Sequence, residues 1–163
     1  MEIEATTGQN TPTPRQRITP AWTALFVAVL ILGAYFRLIG MNWDSNQHLH
    51  PDERFLTMVA SAITPVNSVG AYFDTSTSSL SPYNRGYGFY VYGTLPMFLV
   101  RYAAEALRQT GYDEVYMVGR YMSALIDFLT VLLVYLAGLL LYRDERIATL
   151  ASGFYAFAVL PIQ

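Results

Sequence analysis

Nineteen consecutive residues without a charge, Ile18 to Phe36, constrain this chain more than any other feature. They include the run Ala21-Trp22-Thr23-Ala24-Leu25-Phe26-Val27-Ala28-Val29-Leu30-Ile31-Leu32. As a helix the nineteen residues measure about 28 Å, close to the hydrocarbon thickness of a bilayer. Trp22 and Tyr35 stand near the two ends, where amphipathic rings favour the headgroup region. A secretory signal is the competing reading, because Arg15 and Arg17 precede the apolar run. No small-x-small cleavage site follows, and the run is long for such a signal. The segment reads as a retained transmembrane helix over residues 21–39.

Two further apolar stretches follow. Residues 120–142 form a second expected span, almost wholly aliphatic from Leu129 to Leu141, and residues 147–163 a third that is still apolar at Gln163. Arg143-Asp144-Glu145-Arg146 between them is short enough only for a tight turn between antiparallel helices. The arginines before the first span and in this turn lie on one side. The positive-inside rule makes that side cytoplasmic and exports residues 40–119, whose own arginines fall in too long a loop to count. Residues 1–20, rich in Thr, Pro and Gln, read as a disordered cytoplasmic tail. The expected class is an all-α integral membrane protein of the cell membrane, multi-pass, with its amino terminus inside. A third span that closes with the chain implies partners for these helices, from downstream chain or from another subunit.

Composition narrows the functions open to it. Of the 163 residues, 53% are hydrophobic and 13% charged, against about a quarter charged in soluble domains. With a net charge of −2 and no basic run, the chain is not suited to nucleic acid. The absence of Cys excludes disulfides and thiolate metal sites.

The exported segment carries two helical patterns. Over 51–63, Pro51 suits the first helical position, Asp52 and Glu53 suit the first turn, and Phe55, Val59 and Ile63 make an apolar stripe. Over 95–108, Leu95, Leu99, Ala103 and Ala106 share a face behind a candidate cap, Thr94. Both read as short helices on or near the membrane surface. Thr64 to Arg85 reads as loop. Tyr83, Tyr87, Phe89, Tyr90 and Tyr92 crowd the approach to the second helix. They fit an interfacial belt, or a platform for a sugar ring or lipid-linked substrate.

Chemistry concentrates in Trp43-Asp44-Ser45-Asn46-Gln47-His48-Leu49-His50-Pro51-Asp52-Glu53. Asp52 and Glu53 can be merely the acidic start of a helix. They can also be a general base towards a hydroxyl, with neighbouring acids raising each other's proton affinity. Adjacent helical positions point about 100° apart, so the two carboxylates should serve different partners. His48 and His50 with a carboxylate suggest a divalent metal, although a complete site needs three or four ligands. Asp127, the only acid inside an expected span, is either an ion or proton relay or the partner of an arginine on a neighbouring helix.

Several of these stretches resemble a known family. Phe36-Arg37-Leu38-Ile39-Gly40 followed by Asp52-Glu53, then Tyr92-Gly93-Thr94-Leu95-Pro96-Met97-Phe98-Leu99, then Gly119-Arg120-Tyr121-Met122-Ser123-Ala124-Leu125, resemble the opening of GT-C fold glycosyltransferases related to protein O-mannosyltransferases. That group includes the phospholipid carrier-dependent enzymes of bacteria. The resemblance covers about residues 20–163 and only the amino-terminal part of such an enzyme. It implies three transmembrane helices of a GT-C fold, a polyprenyl-phosphate sugar donor, and a hydroxyl acceptor on the outer face. It places Asp52 as the base and Glu53 in support of the same site, with inversion at the anomeric carbon. The family's protein-modifying members have a double proline where this chain has Pro96 alone, and His48-Leu49-His50 is not part of their motif. Arg54 and Arg120 are the nearby cations available for the leaving phosphate. An isolated fragment of this kind would be inactive. The reading from another class is a small membrane subunit without catalysis, whose exported loop binds a partner or a metal.

Overall fold

A computed structural model describes residues 19–158. The fold is all-helical. In chain order it comprises α1 (Pro20–Leu38), α2 (Pro51–Ala62), α3 (Val69–Phe73), a 3-10 turn (Pro82–Arg85), α4 (Thr94–Leu107), α5 (Tyr112–Tyr142) and α6 (Glu145–Ala156), with no strand among the described residues. Two of the helices, α1 and α5, are long and apolar enough to cross a membrane. The tail expected over 1–20 falls almost wholly outside the described residues. The span expected over 147–163 is helical to Ala156, and residues 159–163 lie outside the described part.

Helix α5 is the spine. Its 31 residues give about 46 Å, well over one hydrocarbon thickness, and it starts at Tyr112, eight residues before the apolar span read from hydropathy. The start is fixed locally, since the Gly111 N–H donates to Glu114 Oε2 at 3.2 Å. These extra turns are amphipathic, and α2 and α4 pack against them. Val59, Ala60, Ile63, Leu80, Tyr90, Met97, Ala104, Val115 and Val118 form the resulting core. A second, smaller core of Val29, Val131 and Ala156 joins the later half of α5 to α1 and α6.

The turn between α5 and α6 brings those helices into close contact. Arg143 takes the left-handed conformation, with φ of 52°, and closes α5 by donating its N–H to the Leu139 carbonyl. Asp144 caps α6, accepting from the Arg146 N–H at 2.8 Å. A Cβ on Gly138 would lie 2.7 Å from Ala148 Cα, so only glycine permits this approach. Glu145, 6% exposed, turns back to the start of α1 and accepts from the Thr19 N–H at 2.8 Å and Thr23 Oγ1 at 2.9 Å. A residue that looked like part of a solvated charged turn thus caps another helix.

Candidate functional site

The segment from Ile39 to His50 folds back over the first turns of α5 without regular structure. Gly40, Ser45, Asn46 and His48 all adopt positive φ, which Asn tolerates and His does not favour. The distortion delivers Asp44, 4% exposed, to the flank of α5. Leu49 N–H donates to Asp44 Oδ2 at 3.4 Å and holds the carboxylate there. His50 then caps α2, its Nδ1 accepting from the Glu53 N–H at 3.4 Å, and Pro51 begins the helix.

The two acids of the first turn part company, as the 100° step requires. Glu53 faces α5 and Arg120. Arg120 Nε donates to Glu53 Oε1 at 2.6 Å and Nη2 to Glu53 Oε2 at 2.7 Å, a bidentate pair. Its other donors go to Asp44 Oδ1 at 3.1 Å, Asp44 Oδ2 at 3.0 Å and the Met41 carbonyl at 2.6 Å. All five N–H groups of the guanidinium are therefore occupied. Tyr116 and Trp43 cover its faces, with ring centroids 4.8 and 5.5 Å from Cζ. The Arg120 guanidinium beside Asp44 holds that carboxyl below its usual range, through hydrogen bonding first and charge second, and against the cost of burial.

Asp52 points the other way and is exposed. It borders a cleft of about 840 Å³ that also reaches Trp43, Tyr92, Met97, Arg120, Arg37 and Asp127. The Tyr92 phenol is held above its ordinary value, chiefly because its hydroxyl donates to the Asp52 carboxylate. Phe55, one turn beyond Asp52 on α2, packs against Tyr92 with centroids 6.1 Å apart and fixes the ring beside the acid. Among the described residues, the cleft thus contains one carboxylate without a cationic partner, on a helix start, next to a phenol.

The crowded aromatics divide between core and surface. Tyr90 is buried in the core and Phe89 is 80% exposed. Tyr83 donates to the Tyr90 carbonyl at 2.9 Å and Tyr87 to the Met58 carbonyl at 3.0 Å. Of the group, Tyr90 and Tyr92 line the cleft.

His48 and His50 do not converge. His48, 5% exposed, lies between the rings of Tyr112 and Tyr116 at 4.4 and 4.6 Å, with Nε2 3.3 Å from Asp113 Oδ1. His50 serves as the helix cap. No group of three His, Asp or Glu arranged for a metal occurs among the described residues. Arg120, read from sequence as available to a phosphate, is closed by its two carboxylates. Arg54 donates from Nε to the His48 carbonyl at 3.1 Å.

Asp127 is the partner of an arginine. Arg37 Nε on α1 donates to Asp127 Oδ2 at 2.5 Å, and the Tyr155 hydroxyl on α6 donates to Oδ1 at 2.5 Å. One carboxylate so ties three helices together. Asp44 and Arg37 are the residues that sequence reasoning passed over as site components. Both lie dozens of positions from their partners, and no local pattern announces them.

No family model matches this chain, and neither the curated proteins nor the solved structures contain a match to it.

Proposed function

We propose that the chain belongs to a membrane glycosyltransferase that moves a sugar from a polyprenyl-phosphate carrier to a hydroxyl acceptor on the outer face. Asp52 acts as the base. The observation that carries this reading is the separation of the three acids around α2. Asp44 and Glu53 are both paired with Arg120, whereas Asp52 faces the cleft with only a phenol beside it. A structural acidic helix start has no need of a neighbouring clamp that leaves one carboxylate open on a cavity.

In the proposed step the acceptor oxygen attacks the anomeric carbon and its proton passes to Asp52. The bond from that carbon to the phosphate oxygen breaks, and its electron pair leaves on the carrier phosphate. Attack opposite the leaving group inverts the configuration. Glu53 acts indirectly, as a positioning residue that anchors the start of α2 to α5 through Arg120. A cleft beside α1 and α5, which are apolar and long enough to cross a bilayer, suits a lipid-borne donor. The three-span arrangement with the amino terminus inside belongs to this proposal, as do the GT-C fold and the inner-membrane location.

The test is Asp52→Asn in membranes expressing the uninterrupted reading frame, supplied with radiolabelled lipid-phosphate sugars. Loss of a general base should slow transfer about 10²–10⁴-fold. Unaltered transfer by folded Asp52→Asn protein would refute Asp52 as the base, and no transfer by the wild-type protein would favour a subunit that binds without catalysis.

A further inference from the structure

Two arginines line the cleft, and only one is fully engaged. Arg120 has a partner for each of its five N–H groups. Arg37 does not. Its Nε donates to Asp127, and its Nη1 donates to the Gly33 carbonyl at 3.0 Å and the Ala156 carbonyl at 3.1 Å. Its Nη2 is buried without any hydrogen-bond partner among the described residues, on a side chain whose residue is only 5% exposed. An unsatisfied donor of a buried guanidinium is costly and uncommon in a folded chain. The residue itself forms part of the cleft wall, together with Asp127.

We infer that the Arg37 end of the cleft is an anion subsite, in which the Nη2 donors receive an oxygen of a phosphate ester. A guanidinium edge matches phosphate geometry, and a charge-assisted bond would satisfy the orphaned donors. Asp127 limits the attraction by neutralising the charge, so the site suits an oxyanion that enters and leaves rather than one held permanently. Arg37 lies in the last turn of α1, on the side where that helix runs into the cleft. A phosphate there and a hydroxyl at Asp52 would occupy one cavity. The inference rests on the preceding reading only for the source of the phosphate, which could be a lipid headgroup or a soluble ester.

The experiment titrates the full reading-frame product, in nanodiscs of phosphatidylcholine, with inorganic phosphate and separately with dihexanoyl phosphatidic acid. Binding is read by calorimetry. Arg37→Lys keeps a positive charge opposite Asp127 but offers one nitrogen where arginine offers three, and should weaken binding at least tenfold. Asp127→Asn removes the competing carboxylate and should tighten it several-fold, an effect that loss of a purely structural pair would not produce. Stronger binding of the short-chain lipid supports the site with a bilayer source; stronger binding of inorganic phosphate supports it with an aqueous one. Binding of neither probe, or equal affinity in wild type and Arg37→Lys, overturns the subsite. Should Arg37→Lys fail to fold, Asp127→Asn decides alone, and unchanged or weaker affinity there overturns it. No sugar transfer is measured, so failure here leaves the Asp52→Asn assay to judge the transferase reading independently.

Discussion

The start and the midpoint of α5 solve the same problem in opposite ways. Near its start, Arg120 meets two carboxylates and a carbonyl and has no donor left over. Further along, Asp127 receives one guanidinium and one phenol, and the guanidinium retains a free nitrogen among the described residues. The first arrangement is closed and can only hold structure. The second leaves a buried donor unmatched and can hold structure while answering a ligand. Counting donors against acceptors therefore separates two arginines that look equivalent in sequence.

The largest effect should come from breaking the closed end. Arg120→Met strands Asp44, whose side chain is wholly buried, and Glu53, which is three-quarters buried. Removing one partner of such a cluster costs about 3–5 kcal/mol, enough to unfold a marginal domain. Thermal melts by circular dichroism in detergent should show loss of the cooperative transition. Arg120→Met protein that melts within a few degrees of wild type would mean that the cluster is not a structural lock.

A smaller effect is expected between the apolar halves of the hairpin. Gly138→Val forces its side chain against Ala148 and should cost about 1–3 kcal/mol through overpacking. Gly88 is the matched control, because a Cβ added there would meet nothing within 4 Å. Gly88→Ala should leave the melting temperature nearly unchanged. Equal shifts for the two would show that the α5–α6 approach is looser than the geometry demands.

Which of these features can be read from sequence follows from how far each signal travels along the chain. The helix from Pro51 is legible because proline, two acids and an i, i+4, i+8 apolar stripe are all local. The apolar part of α5 is legible for the same reason. Its first eight residues are not, since they are amphipathic rather than apolar, and hydropathy alone starts the helix too late. The divergence of Asp52 from Glu53 follows from helical geometry. That Glu53 rather than Asp52 would meet Arg120 does not, because it depends on how the irregular segment 39–50 brings α2 against α5. Glu145 is invisible in a different way, since a charged residue in a short turn reads as solvated until its partners at Thr19 and Thr23 are located.

Acid should disturb the closed end selectively. Asp44 resists protonation in the folded chain, below its ordinary value of 3.8, whereas the unfolded chain takes the proton at that value. The contribution of this carboxylate to stability is therefore complete above about pH 4 and fades as pH falls towards the lower folded value. Trp43, stacked on Arg120, offers a fluorescence reporter for the change. A Trp43 change already centred at or above the ordinary value of 3.8, while the protein remains folded, would dissociate Asp44 from the lock.

The smallest effect probes the acid that the lock leaves free. Because Asp52 faces a phenol instead of a cation, the hydrogen bond that its carboxylate accepts, followed by burial and by its charge, holds Tyr92 above the ordinary value near 10. Asp52→Asn removes the charge, so the Tyr92 hydroxyl should ionise at lower pH than in wild type. Glu53→Gln should not produce that change, since no Glu53 contribution acts on Tyr92. With 13 tyrosines in the chain, the ultraviolet difference spectrum of phenolate formation must be taken against Tyr92→Phe in each background. A titration unmoved by Asp52→Asn would separate the carboxylate from the phenol. It would remove the physical reason for choosing Asp52 over Glu53 as the group that meets a substrate.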